Sequence, residues 1–377
     1  MYPAPAYIII DCMGVGDLFI RRIAAALLAL ALMFASEGET AECAAEAYDI
    51  YDRIMDSAGA AIVYCPDSGE IIYGHNIREK RAIASITKIL TAVIALEYAE
   101  KNDRSVEITE EMYAEGSSMY LKAGEKLSLS SLVGGMMAVS GNDAANALAL
   151  SLGGSIDGFA EMMNRKASLI GMKDSSFRTP SGLDAQGHYS TAYDMALLCA
   201  YAMRNERFAA IVSQKCLTVG YIEPQGKTQQ LYNHNKLLSC CEGCIGIKTG
   251  YTKKAGRTLT SCAKRNGKTL ICVTLNDGND WQDHCRLYDC CFERVTALSV
   301  TDETISIPVA GEENGCVLAE TEEPAVLTVK NGSEDRIKVR YCAPPFLFPQ
   351  VKSGDEAGSA EIYMDGRLLM KRRLVIK

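Results

Sequence analysis

Histidine and tryptophan are the scarce residues of this 377-residue chain: four histidines (His75, His188, His234 and His284) and one tryptophan. A Ser-His-Asp hydrolase needs one of those imidazoles as its base, yet no Gly-x-Ser-x-Gly elbow accompanies any of them. His188 and His284 read as structural instead. Basic excess is missing too. The net charge is −8, whereas a nucleic-acid partner calls for a basic face, so no nucleic acid is expected. Past residue 47 no apolar run reaches the roughly 18 residues that make a spanning-helix candidate, and no terminal amphipathic helix is legible, so no stable membrane anchor is expected there. Cys240-Cys241-x-x-Cys244 lacks a second pair at zinc-ligand spacing, so neither a metal nor another cofactor is expected.

What the chain has in quantity is apolar residues, at 48% against 23% charged, the balance of a soluble globular protein of one or two domains. Cysteine is abundant at 15, an odd number. At the amino end Arg21-Arg22 precedes the apolar run Ile23–Phe34, the charge-then-apolar order of a secretory signal, with small residues at Ala35-Ser36, Ala41 and Ala47 as cleavage positions. Residues 1–47 are therefore read as a leader, and the protein as exported. Export makes disulfides the default. Placement argues against them, because Cys262 and Cys272 fall in β-prone runs and Cys199 in a helical pattern, where cysteine behaves as a small buried hydrophobe. A mostly reduced protein is expected.

Chemistry is concentrated in three short stretches. Ser85-Ile-Thr-Lys88 opens the apolar segment Ile89–Leu96, and a spacing of three puts hydroxyl and amine on one helix face. A serine hydroxyl needs a base to attack at neutral pH, and a lysine serves once burial or a second cation lowers its pKa. Alone, Ser-x-x-Lys is a common solvated pair. Ser140-Gly141-Asn142 and Lys248-Thr249-Gly250 then follow in order, and alone each of these is merely a turn or a strand end. Together the three form the set shared by penicillin-binding proteins and class A β-lactamases.

At these residues the chain resembles the serine D-Ala-D-Ala carboxypeptidases, the low-molecular-mass penicillin-binding proteins, whose middle motif is typically Ser-Gly-Asn. The flanks Ser140–Ala145, Gly182-Leu-Asp with His188-Tyr-Ser-Thr-Ala192, and Gly246–Thr252 are similar as well. The resemblance covers residues 50–298 strongly. It implies an α/β (α+β) fold of the serine β-lactamase/transpeptidase type, an antiparallel sheet flanked by helices, with Ser85 at a helix start. It further implies Ser85 as nucleophile, Lys88 as base, Ser140 as proton relay and Asn142 holding the substrate backbone. Lys248, Thr249, Gly250 and Tyr251 then form the substrate-binding strand, with Lys248 keeping the cleft positive, Thr249 engaging the terminal carboxylate, and the Ser85 and Tyr251 N–H groups making the oxyanion hole. The partners implied are peptidoglycan pentapeptide stems, with β-lactams as covalent inhibitors. Some members carry an arginine after the third sheet strand; here that stretch reads Asn276–His284 and Arg286 is the nearest arginine.

Local signals fill in the rest. Ala60–Tyr64 and Glu70–Tyr73 read as a hairpin around Pro66-Asp-Ser-Gly69. Asn266-Gly267 predicts a second hairpin and Gly250 leaves room for a substrate backbone. Asp143 reads as the N-cap of the helix that follows it. The segment Met112–Glu125 borders the cleft in the family. A helix is expected from Trp281 to Ala297, closing a catalytic domain over residues 48–298. From residue 299 to 377 short alternating runs, with a turn at Asp365-Gly366, predict a small all-β domain.

Two other readings compete. A class A-like β-lactamase needs a glutamate that activates the deacylating water, and Glu161-Met-Met-Asn164 follows Ser140 too closely, reading as one helix face. A non-catalytic cell-wall-binding or penicillin-sensing paralogue is opposed by the intact Ser85 and Lys88.

Overall fold

The computed structural model describes residues 57–377 except 302 and 312–314; the expected leader, residues 1–47, lies outside the described residues. Strand β1 (Ala58–Tyr64) turns at Pro66–Gly69 into β2 (Ile71–His75), and Gly69 takes the positive φ of 79° that this tight turn requires. A single 3-10 turn, Ala84–Thr87, then leads into α1 (Lys88–Lys101). Every residue of α1 from Lys88 to Leu96 is buried, as its all-round apolar sequence predicts.

Four of the helices around α1 start at side-chain caps. After the short paired strands β3 (Ser105–Glu107) and β4 (Lys126–Ser128), Ser128 caps α2 (Leu129–Val139) by accepting from the Ser131 N–H. The Ser-Gly corner leads to α3 (Asn142–Gly153), and Ser155 caps α4 (Ile156–Ile170). Thr191 and Asn205 do the same for α5 (Ala192–Met203) and α6 (Glu206–Val212). The hairpin of β5 (Cys216–Gly220) and β6 (Thr228–Tyr232) precedes the one-turn helix α7 (Leu237–Cys240).

Three long strands complete the main sheet: β7 (Cys244–Thr252), β8 (Gly256–Arg265) and β9 (Lys268–Asp277). The order is β2-β1-β9-β8-β7, all antiparallel, so β7 is an edge. Asn266 and Gly267 both take positive φ between β8 and β9, the paired-left-handed turn that Asn-Gly favours. Alternation sorts the two faces of β9. Ile271, Val273 and Leu275 join the core with Met195, Leu198 and Cys199 of α5, while Thr274 on the other face meets His284 of α8 (Asp280–Phe292). Both faces are therefore covered by helices.

The sequence places the end of α8 at Ala297, and the structure ends it at Phe292. Val295-Thr296 are β-branched and start β10 (Val295–Ser299), which pairs antiparallel with β13 (Val326–Lys330). This strand crosses the boundary expected at residue 298/299. The remainder is β, as expected: β11 (Ile305–Pro308), β12 (Cys316–Thr321), β14 (Ile337–Cys342), β15 (Glu356–Met364) and β16 (Arg367–Ile376), in the sheet order β11-β12-β16-β15-β14. Asp365 and Gly366 make the β15–β16 turn with positive φ.

The first hairpin's turn holds the β-rich part. Glu70 accepts from the Lys330 N–H (2.9 Å), the Ser333 hydroxyl (2.7 Å) and the Arg336 guanidinium (3.0 Å). Asp67 accepts from the Thr328 N–H, and the Cys65 thiol donates to the Thr328 carbonyl. The described residues pack as one compact unit.

Candidate active site

Lys88 is the centre of the site because it is a fully buried amine with three defined partners. Its Nζ lies 2.9 Å from Ser85 Oγ, 2.7 Å from Asn142 Oδ1 and 2.6 Å from the Ser181 carbonyl oxygen. Two of these, an amide oxygen and a peptide carbonyl, can only accept. A neutral Lys88 therefore spends its two N–H bonds on them and turns its lone pair to the Ser85 hydroxyl. Burial holds Lys88 well below the usual lysine range; the nearby Lys248 charge pushes the same way, and Asp143 opposes both. Proximity and protonation state thus agree on a base beside a hydroxyl.

The turn that presents Ser85 is over-determined. Ala84, just before it, sits at φ 48°, a left-handed conformation unfavourable for a residue with a Cβ. The Thr87 hydroxyl donates to the Ala84 carbonyl (2.8 Å), and Thr258 of β8 donates to the Ile83 carbonyl (3.1 Å). Gly182 is required on the far side, since a Cβ there would lie 1.9 Å from the Ala84 oxygen. His188 closes the arrangement: its Nδ1 accepts from the Arg178 N–H (3.0 Å), which leaves Nε2–H to donate to Thr87 Oγ1 (2.9 Å). Burial pushes His188 down to about 4, keeping it neutral.

The second motif folds as a left-handed corner. Ser140 ends α2 at φ 60° and is buried, and its hydroxyl takes no part in the three hydrogen bonds of Lys88. Asn142 is fixed from both ends of its amide: Oδ1 faces Lys88 and Nδ2 donates to the Glu115 carbonyl (2.7 Å), so one Nδ2 hydrogen remains. Asp143 lies inside α3, not before it, and Gly141 is the N-cap. Its carboxylate accepts from the Met119 N–H, the Leu121 N–H and the Ser118 hydroxyl, clamping the 118–121 loop against the corner. That loop belongs to the segment Met112–Glu125 expected to border the cleft, and the segment meets Asn142 through the Glu115 carbonyl.

The third motif lies on edge strand β7. Lys248 is 2% exposed, donates to the Thr249 carbonyl (2.9 Å), and is pushed by burial down to about 7. The two ammonium groups repel one another, which favours loss of one proton from the pair, and it is Lys88 that lies against the Ser85 hydroxyl as its base. A Cβ at Gly250 would stand 2.4 Å from Thr258 Oγ1 and 2.9 Å from the Ser85 backbone nitrogen, so the missing side chain lets β7 close on the Ser85 turn. Thr249 is half-buried, and Tyr251, at 67% exposed, projects from the strand end.

Ser85, Lys88 and Asn142 thus meet by direct hydrogen bonds and Gly250 by close approach, with Ser140 buried at the corner that carries Asn142. Sequence reasoning missed Ser181, Thr87, Thr258 and the role of His188. The Gly182-Leu-Asp and His188-Tyr-Ser flanks signalled two of them; the Ser181 contact is through backbone, which no residue type encodes. His284 is a core histidine, bonded to Ser261 and Thr274. Glu161 is exposed on α4, and Arg286 is exposed on α8.

The chain is similar to known proteins. The model of the D-alanyl-D-alanine carboxypeptidase family, peptidase S11, matches residues 50–279, and that of the penicillin-binding protein 5 C-terminal domain matches residues 292–377. The chain is 29% identical over 338 residues to D-alanyl-D-alanine carboxypeptidase DacF of Bacillus subtilis, covering 86% of each. It is 36% identical over 208 residues to DacB2 of Mycobacterium tuberculosis, covering 54% of this chain and 70% of that one. Among solved structures, the D-alanyl-D-alanine carboxypeptidase DacD of Francisella tularensis superimposes with a TM-score of 0.62 at 26% identity, covering 86% of this chain and 94% of its own.

Proposed function

We propose, from the premise that this chain belongs to the D-alanyl-D-alanine carboxypeptidase family of peptidase S11, a two-step acyl transfer centred on Ser85. Ser85 Oγ attacks the carbonyl of the penultimate D-alanine of a peptidoglycan pentapeptide stem while Lys88 Nζ takes the hydroxyl proton. The peptide C–N bond then breaks, and terminal D-alanine leaves with a proton returned from Lys88 by way of Ser140. Water attacks the resulting ester with Lys88 again as base, freeing the shortened stem and restoring Ser85.

The observation that carries this reading is the buried amine of Lys88, held by two acceptor oxygens with its third direction on Ser85 Oγ. The remaining assignments follow the motifs. The free Nδ2 hydrogen of Asn142 holds the substrate backbone, Lys248 supplies positive charge, Thr249 engages the terminal carboxylate, and the Ser85 and Tyr251 N–H groups stabilise the oxyanion, a term of roughly 3–4 kcal/mol in related chemistry. β-Lactams, which present a strained amide to the same serine, are covalent inhibitors. Among the described residues no carboxylate hydrogen-bonds Lys88, and Glu161 is exposed on α4, which favours this over a β-lactamase.

The enzyme acts outside the cytoplasmic membrane, exported by the segment Ile23–Phe34, with residues 48–298 as catalytic domain and 299–377 as the β-rich domain. Among the described residues no helix is long and apolar enough to cross a membrane. The test is release of D-alanine from a pentapeptide stem: Ser85→Ala is expected to abolish it. Release retained in that variant removes the covalent mechanism.

A further inference from the structure

Beside the residues already assigned lies a hollow of about 410 Å³, with Tyr113, Gly116, Tyr120, Leu121 and Asp143 among its lining residues. Its wall touches the amide of Asn142. The Glu115 carbonyl accepts from Asn142 Nδ2 (2.7 Å), the Ser117 carbonyl accepts from the Asn142 N–H (2.7 Å), and a Cβ on Gly116 would stand 3.1 Å from Nδ2. Tyr120 is the unusual residue of this wall. It holds φ at 59°, a left-handed conformation that a bulky side chain avoids, yet its ring is 80% exposed, so packing of the ring does not offset the strain. The backbone is pinned instead. The Tyr120 N–H donates to Ser118 Oγ (2.8 Å), and the Met119 and Leu121 N–H groups on either side donate to the Asp143 carboxylate (2.9 and 3.1 Å). A buried carboxylate next to Asn142 thus holds an aromatic ring out beside the hollow. Tyr113 supplies a second, exposed ring, fixed by the Ala123 N–H, which donates to its phenol oxygen (2.8 Å). From 110 to 122 the segment carries the exposed carboxylates of Glu110, Glu111 and Glu115 against one lysine, Lys122.

We propose that this hollow binds the side-chain ammonium of a diamino residue in the third position of the stem, with the ring face of Tyr120 as its main contact. The inference rests on the acyl transfer proposed above. With the terminal carboxylate on Thr249 and the penultimate carbonyl at Ser85, the third residue lies one step, about 3.8 Å, further along the chain, on the Asn142 side away from β7. An aliphatic side chain there runs past Leu121 and brings its cation to the tyrosine rings. Ring faces attract a cation, and the acidic segment adds a field of the same sign of preference. A side chain whose amine has been acylated gains neither.

The test uses the full chain and two tripeptides: Nα-acetyl-L-lysyl-D-alanyl-D-alanine with its side-chain amine free, and the same peptide with that amine acetylated. For D-alanine release, kcat/KM is expected to be higher with the free amine by a factor of about 5–10, carried by KM. Tyr120→Leu is expected to bring the ratio close to 1, and Tyr120→Phe, which keeps the ring face, to retain most of it. A ratio near 1 in the unaltered protein, or a ratio that survives Tyr120→Leu, overturns the proposal. Benzylpenicillin carries no such amine and reports on Ser85 separately. Acylation of Ser85 without an amine preference overturns this inference alone, whereas no acylation and no release from either peptide overturns the acyl transfer beneath it. The ratio in the unaltered protein carries the test even where Tyr120→Leu folds poorly.

Discussion

At the scale of residues the site depends on two buried amines whose protonation has been pushed apart. Both lose solvation and each repels the other, and the contact with Ser85 Oγ makes Lys88 the base, with Lys248, pushed down to about 7, as the cation. The sign of the pH dependence follows. Activity needs Lys88 neutral and Lys248 charged, so kcat/KM is expected to fall on the acid side as Lys88 takes up a proton, and on the alkaline side, above about 7, as Lys248 gives its proton up. A bound carboxylate favours the Lys248 cation, so the alkaline limb of kcat is expected at higher pH than that of kcat/KM. Coincident alkaline limbs speak against Lys248 as the carboxylate's countercharge. Lys88→Arg is expected to lower kcat by a factor of about 10² or more, since a guanidinium cannot become neutral to accept a proton. An active Lys88→Arg enzyme removes lysine as the base. The motifs made Ser85 and Lys88 legible from residue identity and spacing. The Ser181 carbonyl, which fixes the direction of the Lys88 lone pair, was not, because every residue carries a carbonyl.

At the scale of elements the decisive piece is the 3-10 turn Ala84–Thr87, held in a left-handed start by contacts from β8, the 178–183 loop and His188. Spacing in the sequence placed Ser85 at a helix start, and that was sound because a three-residue interval fixes a face whether the turn is α or 3-10. Nothing local could reveal Ala84 at positive φ, since alanine carries no preference for it and only tertiary contacts impose it. The end of α8 was misplaced for a similar reason: Val295-Thr296 continue an apolar pattern that a helix also fits, and pairing with β13 decides the matter. His188 gives the turn an acid sensitivity. Its folded value of about 4 lies below its unfolded 6.5, so between these limits the unfolded chain binds the extra proton. The stabilisation is complete above pH 6.5 and is lost as pH falls toward 4, about 3 kcal/mol in all at 1.4 kcal/mol per unit. His284, pushed by burial to about 3, adds in the same direction. Melting curves are expected to show His188→Gln losing less stability than the unaltered protein between pH 6.5 and 4. Equal losses in the two proteins discount this role.

At the scale of the whole molecule the β-rich part hangs on the first hairpin's turn, where Glu70 serves a backbone N–H, a hydroxyl and a guanidinium at once. Alternating runs and the Asp365-Gly366 turn announced the β strands, but which strand met which hairpin depended on these long-range polar contacts, which have no local signature. Glu70→Ala is expected to reduce stability by about 2 kcal/mol, from hydrogen bonds left unmade at Lys330 and Ser333, with D-alanine release from a soluble peptide unchanged. Loss of activity without loss of stability contradicts that division of labour.

The central claim is that one serine, beside a buried lysine, forms a covalent acyl-enzyme. Intact-mass measurement after incubation with benzylpenicillin, followed by peptide mapping, tests it directly. The account predicts a single adduct, of one penicillin per chain, on the peptide containing Ser85. An adduct on any other residue, or none at all in folded protein, contradicts it.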